Sequence, residues 1–137
     1  MALDPGLAGR TFAPTAAYAV SRETVAEFAA AIGAAPLDDG EQASLTFPIV
    51  VAFQAMTGLM TDPDVGIKMH HVIHVDQRFE QTRPIRAGDR LTGTLTIDSM
   101  RHGAGVDMIS TRTEVATTDG GHVATAYATL AYREGPA

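Results

Sequence analysis

Phe47-Pro48-Ile49-Val50-Val51-Ala52-Phe53-Gln54-Ala55-Met56-Thr57-Gly58-Leu59-Met60 is the stretch whose reading decides the fold. It is apolar nearly all the way round, broken only by Gln54, Thr57 and Gly58. At helical spacing Ile49, Phe53, Met56 and Met60 form one stripe, and Val50, Val51 and Ala52 widen it. A helix that is apolar on most faces must be wrapped by other elements rather than laid on a surface. Pro48 suits a first turn, where its missing N–H would be unpaired anyway, and Thr46 is placed to cap the start. As a helix the stretch measures about 21 Å, at about 1.5 Å per residue, against roughly 30 Å for a bilayer core. The reading is a buried central helix with Phe53 inside, and no membrane span.

Upstream, a short extended piece at 17–20 leads to Ser21, which is placed to cap a helix with Glu23 in its first turn. Val25, Phe28, Ala29 and Ile32 make a one-sided apolar stripe, and Gly33 is a good stop. Ala34 to Ser44 reads as a loop, with Pro36, Asp38, Asp39 and Gly40 supplying turn chemistry. Downstream the period changes to alternation, predicting strands over roughly 70–80, 90–100, 106–117 and 122–133. On the first of these, Ile73, Val75 and Phe79 are expected on one face and His74, Asp76 and Arg78 on the other. Long antiparallel strands joined by short turns curl strongly. The expected architecture is α+β: one domain over 1–137, a curved antiparallel sheet wrapped around the central apolar helix.

Composition narrows the function classes. The chain has 137 residues, 45% hydrophobic and 19% charged, enough to bury a core in one domain. A net charge of −6 argues against general nucleic-acid binding, which wants a basic face. With no cysteine there is no disulfide and no thiolate chemistry, and a reducing cytoplasm is the natural compartment. Met1 to Arg10 carries an early acid and a proline without an apolar run, unlike a secretory leader. Residues 134–137 read as a frayed tail. Gly103-Ala104-Gly105 lacks the third glycine of a dinucleotide fingerprint and sits between strands, and no G-x-S-x-G is present. His70, His71 and His74 lack the H-E-x-x-H arrangement, so neither a metal nor any other cofactor is expected.

The segments Gly9 to Pro14 (GRTFAP), Val20 to Gly33 (VSRETVAEFAAAIG), Thr46-Phe47-Pro48 and His74 to Leu91 (HVDQRFEQTRPIRAGDRL) resemble, in order, the MaoC-like hot-dog dehydratases. The likeness is greatest to type I fatty-acid-synthase dehydratase domains and to accessory subunits of mycobacterial (3R)-hydroxyacyl-ACP dehydratases. The resemblance implies a hot-dog fold, dimerised edge to edge, acting on 3-hydroxyacyl or enoyl thioesters of ACP or CoA.

Reversible dehydration of such a thioester needs a base for the α-proton, an acid for the leaving hydroxyl, and donors for the enolate oxygen. Catalytic members carry an Asp and a His in the loop after the first helix, in a pattern like T-G-D-x-N-P-[IL]-H. Here Gly33 matches, Ala34 stands at the Asp, and the His position holds Asp38 if anything. The expectation is therefore a non-catalytic, substrate-holding protomer of a homodimer or of a heterodimer with a catalytic hot-dog protomer. Asp38 and His74 are weak catalytic candidates, and Thr46, Phe47, Ile49, Val50 and His74 are candidate substrate contacts. The N–H groups of Ile49 and Val50 are the expected carbonyl donors at the helix start. Arg83, Arg86 and Arg90, with Arg78, form a basic cluster that either docks the carrier's phosphates or pairs with Glu80 and Asp89. The alternatives are a self-sufficient homodimeric hydratase, a thioesterase using Asp38, Asp39 or Glu41, or a non-enzymatic acyl-thioester binder.

Overall fold

The computed structural model describes residues 3–133; the expectation of a frayed 134–137 tail lies outside them. Along the chain come β1 (Tyr18–Ala19), α1 (Arg22–Ala31), α2 (Ile49–Thr61), β2 (Val72–Gln81), β3 (Arg90–Gly103), β4 (Val106–Thr117) and β5 (His122–Tyr132). The five strands form one antiparallel sheet in the order β1-β3-β4-β5-β2, so the short β1 and the long β2 are its two edges. This is the curved sheet and central helix expected of a hot-dog fold.

Local chemistry explains the helices. Ser21 caps α1 by accepting from Thr24 N at 3.1 Å, and Thr24 Oγ1 accepts in return from Ser21 N. Gly33 ends that helix region at φ +72, a conformation open to glycine. α2 begins two residues later than the sequence suggests, with Pro48 at its N-cap and no side-chain cap; Thr46 serves instead through its carbonyl, which accepts from Ile49 N.

α2 buries Val51, Ala52, Ala55, Met56 and Leu59 against the sheet, mainly against β3. Gly93 of β3 permits that approach, because a Cβ there would stand 2.9 Å from Val51 Cγ1 and 3.1 Å from Thr113 Cγ2. Two apolar clusters result. One gathers Met56, Leu59, Leu95, Ile97, Ile109 and Tyr132; the other gathers Val25, Phe47, Val51, Ile85, Leu91 and Val123. Burial at about 25 cal/mol per Å² of apolar surface makes these clusters the main source of stability.

Phe53 corrects the sequence reading. It is 54% exposed rather than buried, because the sheet wraps one side of α2 and Phe53 lies on the open flank. The expected alternation in β2 is also overturned. A bulge between His74 and Asp76 leaves Val75 without a partner, and the faces exchange. His74, Gln77 and Phe79 stand opposite Leu130, Ala128 and Ala126, all inward residues of β5, whereas Asp76 and Arg78 stand opposite Thr129 and Tyr127 on the outer face. Ile73 and Val75 are 67% and 53% exposed. No helix among the described residues is long and apolar enough to cross a membrane.

Candidate functional site

The loop between α1 and α2 folds into a single turn of tight helix at Asp38–Gly40, with Asp38 at φ 47 and Asp39 at φ 56. Left-handed backbone at two consecutive non-glycine residues is costly and is sustained by fixed surroundings. Those surroundings are arginines. Arg86 Nη1 donates to Asp38 Oδ2 at 2.9 Å, Arg22 Nη2 donates to the Asp39 carbonyl at 2.7 Å, and Arg22 Nη1 pairs with Glu41 at 2.8 Å. Asp38 and Glu41 are thus anchored by cations. No histidine joins them, and Ala34 contributes only its backbone, donating to the Ala29 carbonyl.

His74 lies elsewhere, on the helix side of the edge strand. Gln77 Oε1 accepts from His74 Nε2 at 2.9 Å, and the imidazole sits 6.2 Å from the Phe53 ring, centroid to centroid. Asp38 and His74 share no hydrogen bond, so the two weak catalytic candidates are not assembled into an acid–base pair. His70 and His71 precede the strand in a turn at Met69–His71, their rings edge to face at 4.2 Å. His70 and His74 therefore do not share a strand face. Among the described residues no three His, Asp or Glu groups converge.

At the start of α2, Ile49 N donates to the Thr46 carbonyl at 3.1 Å and Val50 N to the Phe47 carbonyl at 3.0 Å. The two amides expected to receive a thioester carbonyl are occupied by turn hydrogen bonds. Phe47 is 1% exposed, its ring edge-on to Phe28 at 5.3 Å, so it supports the helix start from within the core. Ile49 and Val50 are half-buried and Thr46 is exposed. Ser44, just before this turn, carries a buried hydroxyl with no hydrogen-bond partner among the described residues. Sequence reading passed it over, because nothing in an Ala-Ser-Leu run signals an orphaned hydroxyl.

The basic cluster divides into pairs. Arg83 binds Asp89 through both terminal nitrogens, Arg86 binds Asp38, and Arg78 pairs with Glu80 at 3.3 Å while lying 4.0 Å from the Tyr127 ring centroid. Arg90 makes no ion pair among the described residues. It borders a polar cleft of about 430 Å³ with Arg83, Asp89, Thr117 and Asp119. Two carboxylates there offset two guanidinium groups. Arg83 is held above its ordinary value, first by the hydrogen bond to Asp89. Asp119 is held below its own, first by the Thr117 hydroxyl.

The exposed apolar residues Phe53, Leu45, Met69, Ile73 and Val75 belong to α2, to the turn before it, and to the edge strand with its approach. Gln81 Nε2 on that strand donates to the Leu45 carbonyl at 2.7 Å, joining the turn to the edge. Among the described residues the site is thus an unpaired strand edge beside an apolar flank, with His74 and Gln77 as its polar members.

Residues 7–126 match the family described as FAS1-like, dehydratase domain region. A UPF0336 protein of Streptomyces coelicolor is 41% identical over 145 aligned positions, covering 97% of each chain. Among solved structures, one chain of the HadBC (3R-hydroxyacyl-ACP dehydratase) complex of Mycobacterium tuberculosis is 29% identical, with a TM-score of 0.79 over 91% of this chain and 96% of that one. A MaoC-like dehydratase is 28% identical with a TM-score of 0.77 over 93% of this chain and 42% of that longer one. By sequence and by fold, the chain belongs to the MaoC-like hot-dog dehydratases of the FAS1-like dehydratase-region family.

Proposed function

We propose that this chain is the substrate-holding, non-catalytic protomer of a cytoplasmic (3R)-hydroxyacyl-thioester dehydratase, acting on ACP or CoA thioesters. A second hot-dog protomer, docked along β2, supplies the acid–base pair. One observation carries the reading: the loop that would hold that pair has Ala34 at one position and, at the other, Asp38 locked to Arg86 at 2.9 Å. That contact anchors the carboxylate in the loop, and no histidine among the described residues stands beside it to complete the pair. Without half of the pair, a rate loss of about 10²–10⁴ is expected. The unpaired β2 edge and the exposed Phe53, Ile73 and Val75 support a protomer that docks there, since such an edge is normally paired or covered.

A homodimer is the second reading, and one observation favours it. Asp76 and Arg78 flank Gln77 on the outer face of β2. An antiparallel self-pairing about Gln77 sets each Asp76 against the other copy's Arg78, a favourable cross-strand pair. The test is a steady-state hydration assay on trans-2-enoyl-CoA, alone and with a co-expressed hot-dog protomer carrying the Asp/His loop, alongside native mass. Turnover only in the mixed complex is the expected result. Robust turnover by the chain alone, as a homodimer, refutes the helper role.

A further inference from the structure

β3 and β5 end, and β4 and β2 begin, at one end of the sheet, where Arg101, Met108, Ala131 and Ile73 stand opposite one another in a single row. Their chain neighbours Ile109, Leu130 and Tyr132 are 1%, 2% and 1% exposed and point into the core, so the row lies on the outer face. Asp107 and Tyr132 are register partners, which places Arg133 opposite Val106 one step beyond the row. The result is an apolar strip of Val106, Met108 and Ala131 with a guanidinium on β3 and another just past β5.

The rest of this face is different. Farther along, charge is neutralised in place: Arg112 pairs with Asp98 and Glu114, and Arg78 with Glu80. The next row, Ser99, Ser110, Thr129 and Asp76, is polar throughout. Six of the ten Lys and Arg side chains are ion-paired among the described residues. Three of the other four, Lys68, Arg101 and Arg133, lie at this end, Lys68 through its N–H to the Tyr132 hydroxyl at 3.3 Å. The acid beside them is engaged. Asp107 is 4% exposed, its Oδ2 accepts from Leu3 N at 2.8 Å, and its Oδ1 lies 2.6 Å from His102 Nδ1. Asp76 stands on the edge strand, three strands away from Arg101. Cations gathered around an apolar strip run against a net charge of −6, and an apolar centre with a charged rim is the anatomy of an interface.

We infer that this end of the outer face docks an acidic amphipathic helix of a partner protein. Charge complementarity and spacing both select that occupant. Arg101 and Arg133 stand two strands across and two residues along from each other, about 12 Å. Two turns of a helix advance about 11 Å. A helix with carboxylates at i and i+7 and apolar side chains at i+3 and i+4 therefore sets one acid against each guanidinium and its apolar stripe against Met108 and Ala131. The last member of the row, Ile73, belongs to the β2 edge where a second protomer docks, so the variants below spare it.

The test is fluorescence anisotropy of a labelled helical peptide with Glu at i and i+7 and Leu at i+3 and i+4, and of its Gln-for-Glu analogue, titrated with the full chain. The Glu peptide should bind, should weaken as salt rises, and should bind at least about tenfold more tightly than the analogue. Arg101→Glu combined with Arg133→Glu should weaken it at least about tenfold, because each reversal brings like charges together. Both residues are exposed, so the double variant keeps its fold. Met108→Asp reads the apolar strip separately and should weaken both peptides. Arg90→Glu removes an unpaired cation at the opposite end of β3 and should leave binding unchanged. Equal affinity for the two peptides, an equal loss in Arg90→Glu, or no binding of either peptide overturns the site. Binding to phosphatidylglycerol vesicles without binding of the peptide overturns it in favour of a membrane surface. A wild-type protein that sediments as a larger species than the double variant places a second copy of the chain there, and overturns it too.

Discussion

Arg83 and Asp89 clasp each other across the turn from β2 to β3, Nη1 to Oδ2 at 2.9 Å and Nη2 to Oδ1 at 3.1 Å. Asp89 Oδ2 also accepts from Arg86 N at 2.8 Å, so one carboxylate shapes the whole Arg83-Pro84-Ile85-Arg86-Ala87-Gly88-Asp89 segment. This part of the His74 to Leu91 segment, one of those that resemble the family, is thus a structural staple before it is anything else.

Asp89 should make stability acid-sensitive. Burial pushes its carboxyl up, but the Arg83 hydrogen bond, the Arg86 amide and both guanidinium charges outweigh that and hold it below the ordinary value. A depressed carboxylate stabilises the fold above the unfolded value of about 3.9, and the contribution is lost as pH falls through the folded value. Asp89→Asn should cost about 1–3 kcal/mol near neutrality. The lower end is expected because the Arg83 side chain is 37% exposed. Urea unfolding at pH 7 and pH 3 measures this, and a deficit of equal size at both would contradict the assignment.

Gly93 should resist even a methyl group. With Val51 Cγ1 at 2.9 Å and Thr113 Cγ2 at 3.1 Å from a Cβ, Gly93→Ala forces α2 away from β3. Overpacking of this kind costs about 1–3 kcal/mol. Val51→Ala, added to Gly93→Ala, should recover part of the loss through coupling between touching residues. Denaturation midpoints for the three variants decide the matter, and an unaltered Gly93→Ala protein sinks the argument.

The helix, the four long strands and the cap at Ser21 were legible because periodicity and capping chemistry are local. Phe53 was misread for a physical reason: a helix apolar on every side does not reveal which side a one-layer sheet leaves open. The inner and outer faces of β2 were misread because a single bulged residue, Val75, inverts the alternation without changing composition. Asp38 was legible as a departure from the family's loop. Its Arg86 partner lies 48 residues away, a distance over which sequence spacing says nothing.

Phe53→Asp should now fold. The residue is 54% exposed, and changes at such positions usually stay within about 0.5 kcal/mol. What it should lose is association, since a charge on the open flank opposes burial of that flank by a second protomer. Sedimentation at micromolar concentration, for Phe53→Asp and for Ile73→Lys, should show a shift to the monomer with cooperative melting retained. An unfolded Phe53→Asp protein would restore the buried-helix reading of this residue.

Asp38 can be separated from catalysis by its partner. If its role is to hold the loop through Arg86, Asp38→Asn and Arg86→Gln should behave alike, because each breaks the same bond. The two side chains are 59% and 49% exposed, so the pair is screened and a double-mutant cycle should return a coupling of about 0.2–1 kcal/mol. Activity of a mixed complex with a catalytic protomer should stay within about twofold in both variants, since no proton passes through a residue that only positions a loop. A catalytic Asp38 makes a different pattern. Asp38→Asn would then lower turnover by about 10²–10⁴ with its melting temperature unchanged, while Arg86→Gln, which keeps the carboxylate, would cost far less turnover. The same comparison applied to His74→Ala asks whether the edge-strand imidazole, rather than the loop, handles the proton. Turnover lost in that variant alone, with native mass intact, would transfer the general-base role to His74.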